Sequence, residues 1–167
     1  CQQWNSFVET TITAPITPSH PLSPENLPQE LSQVVTETAD RFPIPLAEFN
    51  RVLGGGLVPG SLVLVSGDPG IGKSTLLLQI SALMAQARGK VVYASGEETL
   101  HQTKLRAERL GVRGEGLYLL AETDLDVILS QIEQLSPSLV VIDSIQAVYL
   151  PELETAPGSI TQVRECT

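Results

Sequence analysis

The run Gly67-Asp68-Pro69-Gly70-Ile71-Gly72-Lys73-Ser74 fits the pattern G-x-x-x-x-G-K-[ST], and Thr75 follows it. That spacing suits phosphate binding. A loop of this length curls until successive amides point inward at phosphate oxygens, and glycine tolerates the angles the curl demands. A helix starting near Gly72 would aim its positive end at the same point. On this reading residues 67–75 bind ATP. Lys73 reaches the β- and γ-phosphates, the Ser74 hydroxyl ligates Mg2+, and Thr75 serves the α-phosphate. The plain alternative is a glycine-rich turn that binds nothing; the strand and helix expected on either side argue against it.

A nucleotide site also needs acids. Asp143 ends the apolar run "LVVID". A buried strand would deliver its carboxylate to the sheet edge beside the loop, as a second Mg2+ ligand. Glu97 and Glu98 in "YASGEET" leave another strand at that edge. One of them is expected to orient and deprotonate the attacking water. Otherwise both begin the next helix, where its dipole favours acids. Neither an acceptor pocket nor a basic lid is visible, so hydrolysis is expected rather than transfer to another substrate.

These residues require an alternating scaffold. "SLVLVS" (61–66) reads as a strand. Residues 73–89 read as a helix with Leu76, Leu77, Ile80, Leu83, Met84 and Ala87 at helical spacing, stopped at Gly89. Strands are expected at 90–95, 116–121 and 138–144. Helices are expected at 99–111 and at 124–135, the latter capped by Asp124. Strands alternating with helices imply an α/β fold with a mostly parallel sheet. Lys104, Arg106 and Arg109 spread around the 99–111 helix, which reads as solvated faces and partner contacts rather than a DNA surface. His20 and His101 lack ligand-like company.

Residues 10–40 form a Pro/Ser/Thr-rich linker, with Pro15, Pro18, Pro21, Pro24 and Pro28 removing amide donors. A short helical piece is expected near 28–35, and the domain proper begins near Arg41. The 167 residues suffice for one ordinary domain. Aromatics are only 4%, so the core must be mostly Leu, Val, Ile and Ala. A net charge of -9 does not fit a general nucleic-acid binder with a basic surface. No apolar stretch reaches the roughly 20 residues needed to span a bilayer, and the N-terminal residues, with no basic region followed by an apolar one, do not read as a signal peptide. Two cysteines, Cys1 and Cys166, make no disulfide framework. The expectation is a cytoplasmic protein without a membrane partner. Because residue 1 is Cys, the chain reads as a piece of a longer one.

The segments "VLGGGLVPGSLVLVSGDPGIGKSTLLLQ", "YASGEE", "KLRAERLG", "VIDSIQAV" and "PGSITQVREC" resemble the RadA (Sms) family of bacterial DNA-repair proteins, over about Arg41 to Thr167. Looser likeness extends to RecA and to ring helicases of the DnaB type. The resemblance implies a RecA-like P-loop ATPase: a motor for recombination that binds single-stranded or branched DNA and drives branch migration. It also implies a hexameric ring, with a recombinase as a further partner. By position it makes Glu97 the water-activating residue, with Glu98 as fallback. It also makes residues 149–164 a channel loop, with Arg164 and Gln162 as DNA contacts. "WNSFVE" (4–9) follows a four-cysteine zinc module in that family, so Cys1 would be that module's last ligand and residues 1–9 a remnant. One thiolate cannot assemble a tetrahedral zinc site, so zinc is expected only in the parent protein.

The resemblance implies three further features, expected beyond Thr167: a Lys-Asn-Arg-Phe-Gly signature, a Lon-protease-like domain, and a strand between the phosphate-loop strand and the Asp143 strand. Residues 41–167 are therefore expected to be the N-terminal part of the ATPase domain, with unpaired ladder groups costing roughly 1–3 kcal/mol each and a non-cooperative urea melt. The rival reading is an ATP-binding regulatory or adaptor module that switches partners without turnover.

Overall fold

The structure, a computed structural model, describes residues 28–34 and 40–167. Cys1, the 4–9 segment and most of the 10–40 stretch lie outside the described residues. Contacts divide the chain into two units, Cys1–Thr38 and Ala39–Thr167. In the first, the expected helical piece is a single 3-10 turn, Leu31–Gln33, with no buried residue.

In the second unit, Val91 to Ser95 form a strand (β1) buried at every position. A strand covered on both faces must be apolar throughout, and "VVYAS" nearly is. Its flanks are β2 (Leu117–Ala121) and β3 (Leu139–Asp143), both parallel to it, in the order β2-β1-β3. The register pairs Ser95 with Asp143, so β1 and β3 end level.

The strands alternate sides. Tyr93 and Val141 pack with Leu78 of helix α2 (Lys73–Arg88) and Ala107 of helix α3 (Leu100–Arg109). Ala94 packs on the other side with Ile128 of helix α4 (Leu125–Leu135) and Val148. Helix α1 (Ala47–Val52) lies in a segment whose Phe42, Ile44 and Phe49 cover Ile80, Met84 and Val91. Helix α5 (Ile160–Glu165) is the last element. The α/β alternation is as the sequence predicts, and Asp124 caps α4 by accepting from the amides of Asp126 and Val127.

Three expectations change. "SLVLVS" forms no strand. Leu62 and Leu64 are 76% and 77% exposed, and no described residue pairs with the segment in a ladder. β-branched content is a local signal, whereas a strand exists only with a hydrogen-bonding neighbour. In α2 the buried face runs through Leu78, Ile80, Ser81, Ala82, Met84 and Ala85, while Ala87 is exposed; three successive leucines left the phase of the helix open. Finally, residues 160–164 of the supposed channel loop are helical, lying in Ile160–Glu165.

Candidate functional site

The phosphate loop leads straight into α2. Gly72 is the residue before the helix and sits at φ 103°, which any side chain would strain. The Lys73 ammonium donates to the carbonyl oxygens of Gly67 at 2.7 Å and Asp68 at 3.0 Å. A cleft of about 240 Å3 opens at this helix start, lined by Gly70, Gly72, Lys73, Ser74, Thr75 and Arg106.

The level strand ends bring the acids to the same rim. Ser74 Oγ donates to Asp143 Oδ1 at 3.1 Å, a contact spanning 69 residues of sequence. Ser144, next to Asp143 across a cis peptide bond, donates from Oγ to Glu97 Oε1 at 2.6 Å. Two hard oxygens, one hydroxyl and one carboxylate, thus converge from α2 and β3. That donor set fits Mg2+, which takes few protein ligands and fills its remaining positions with phosphate and water.

The turn carrying Glu97 is tightly packed. A Cβ on Gly96 would fall 2.5 Å from the Ala147 Cβ and 3.0 Å from the Thr123 Cγ2. Glu97 and Glu98 both precede α3. The N-cap is Thr99, in a capping box with Gln102, so neither glutamate begins the helix.

Their surroundings differ. Glu98 Oε2 is 2.7 Å from Arg106 Nη2 and accepts from Thr103 Oγ1 at 3.4 Å. Among the described residues, Glu97 meets a hydroxyl and no cation.

Sequence reasoning missed two residues here. Arg106 is no solvated helix residue. Its side chain is 13% exposed and lies between Glu98 and Asp143, with Nη2 4.0 Å from Asp143 Oδ2. It follows the buried Thr103 by three positions and precedes buried Ala107 by one, so it borders the inner face of α3. Tyr93, with no exposure, donates its phenolic hydrogen to Asp143 Oδ2. Burial first, and then that hydrogen bond, push the Tyr93 phenol far above its ordinary value, so it remains a donor. A tyrosine in a fully covered strand must find a polar partner, and that signal was present in "KVVYAS".

The channel-loop residues separate. Arg164 is exposed, with Glu165 at 4.0 Å. Gln162 is fully buried, which removes it as a DNA contact. Its amide donates to the carbonyls of Leu150, Leu153 and Thr155, and its oxygen accepts from the Leu150 amide. A buried amide saturated by loop backbone pins the loop and has no capacity left for a ligand.

A family model described as AAA domain matches residues 26–163. Over its whole length the chain is 54% identical to the DNA repair protein RadA of Halalkalibacterium halodurans, covering 37% of that protein. The corresponding values are 51% identity and 38% coverage for the RadA of Bacillus subtilis. For that of Listeria monocytogenes they are 51% and 37%. The chain therefore spans little more than a third of the length of these curated relatives. With its parallel sheet and phosphate loop, the chain belongs to the AAA-domain family, as a RecA-like P-loop member similar to the DNA repair proteins named RadA.

Proposed function

We propose that this chain is the ATP-handling part of a DNA-repair motor of the RadA kind. On this reading, Mg2+-dependent ATP hydrolysis is coupled to single-stranded DNA binding and branch migration. The observation that carries it is the Ser74–Asp143 contact at 3.1 Å, which joins the phosphate loop to the rim that bears Glu97.

The loop amides of residues 67–75 bind the phosphates, and Lys73 exchanges its loop carbonyls for the β- and γ-phosphate oxygens. Ser74 and Asp143 hold Mg2+, which when bound neutralises charge developing between the β- and γ-phosphates. Glu97 is the residue that orients the attacking water and takes its proton, because among the described residues no cation competes for its carboxylate. Glu98, paired with Arg106, holds the rim together. Arg164 is the DNA contact that remains. A hexameric ring, a recombinase partner and a zinc module belong to the same reading of the parent protein.

Glu97→Gln tests it. ATP binding is expected to persist while phosphate release falls by on the order of 100-fold or more, and Glu98→Gln is expected to cost less. Unchanged phosphate release in Glu97→Gln would remove the role from Glu97 and favour a module that switches without turnover. For DNA, single-strand affinity of the intact protein should fall as salt rises, and Arg164→Ala should flatten that slope.

A further inference from the structure

Asp143 is held on both of its oxygens. Oδ1 faces the Ser74 hydroxyl at 3.1 Å, and Oδ2 accepts from the Tyr93 hydroxyl. Nothing in the phosphate-loop pattern requires the second contact. The Tyr93 ring is fixed by Leu78, Ala107 and Val141, so its oxygen has one position, set by the core. Arg106 Nη2 donates to that oxygen at 3.4 Å. Because Tyr93 accepts from Arg106, its single hydrogen is free to point at Asp143. The result is a directed chain from Arg106 to Tyr93 to Asp143, in which each bond polarises the next. Arg106 is anchored in turn by Glu98 at 2.7 Å. Its Nε is buried without a hydrogen-bond partner among the described residues, a cost that a packing role alone does not repay.

We propose that Tyr93 and Arg106 are positioning residues for the cation, locking the Asp143 carboxylate so that Oδ1 stays turned toward Ser74. The proposal rests on the nucleotide-site reading above and deepens it. A carboxylate free to rotate would present either oxygen, or neither, to a metal that tolerates little departure from octahedral geometry. Tyr93 removes that freedom from one side. Arg106 supplies the positive charge that lets Glu98 and Asp143 share a rim without repelling each other. Both residues act through Asp143; Tyr93 does not line the cleft, whereas Arg106 borders it beside Lys73, so Tyr93 is the cleaner probe.

The test is a Mg2+ titration of the intact protein with a fluorescent ADP analogue, beside a titration in EDTA, with circular dichroism as the check on folding. For Tyr93→Phe, affinity in EDTA is expected to stay within about twofold of wild type while the Mg2+ midpoint rises about tenfold, as for other outer partners of metal ligands. Arg106→Gln should shift the midpoint in the same direction, and it decides the matter if Tyr93→Phe fails to fold. A Tyr93→Phe protein that binds nucleotide with a wild-type Mg2+ midpoint would overturn the proposal. An equal loss with and without Mg2+ would also overturn it, since that marks a purely structural role. A wild-type protein that binds no nucleotide under either condition would instead overturn the ATP reading beneath it.

Discussion

Between Gly67 and Gly72 the site is built of main chain. The side chains there take little part, Ile71 being 73% exposed, and Lys73 rests on two carbonyl oxygens. Across the cleft, the rim of Tyr93, Glu98, Arg106 and Asp143 is built of side chains bonded to one another, from two strands, a turn and a helix. The loop works through amides, which any sequence supplies once glycines permit the curl. The rim works through groups whose positions depend on the whole packed sheet. A loop of this kind is robust to what surrounds it, whereas the rim is only as well placed as the core behind it.

Three substitutions break or sharpen that contrast. The largest effect is expected from Lys73→Ala, which removes the cation that rests on the loop carbonyls and is proposed to move onto phosphate. Phosphate release should fall on the order of 100-fold, with little change in the urea midpoint. A large stability loss would mean that the loop is less independent than its exposed geometry implies. Gln162→Leu should act the other way. It leaves the Leu150, Leu153 and Thr155 carbonyls without their buried donor, which costs about 2–3 kcal/mol. Urea unfolding measures this, and limited proteolysis should show faster cleavage near residues 150–156. Thr99→Ala is the smallest. Loss of the capping box that starts α3 should cost about 1 kcal/mol. The same variant should raise the Mg2+ midpoint slightly, because α3 carries Arg106 to the rim.

The contrast also explains what could be read in advance. The phosphate loop, the α2 start, the Asp124 cap and Asp143 at a strand end were legible because each is a local rule: residue types at fixed spacing. Local rules did not separate Glu97 from Glu98, since both leave β1 together; the family resemblance ranked Glu97 first, and the structure adds that Arg106 and Thr103 engage Glu98 while Ser144 engages Glu97. Arg106 itself was misread because helical spacing alone does not say which flank of α3 faces inward. Gln162 was taken for an exposed contact for a similar reason: what surrounds a loop glutamine is a tertiary fact. The 61–66 segment failed in the opposite direction. Its pattern is that of a strand, but the ladder partner that the family resemblance implies is not among the described residues, and without one the pattern forms no strand.

The pairing of Ser95 with Asp143 carries one more implication. Successive residues of a strand point to opposite faces, so sliding β3 by a single position would put Ile142 where Asp143 stands and shift the backbone by about 3.3 Å. The same slip would turn Val141 out of its cluster with Leu78 and Tyr93. The greasy interior therefore serves as a ruler for the charged rim: any misalignment that would spoil the proposed cation ligand is also one that the core itself rejects.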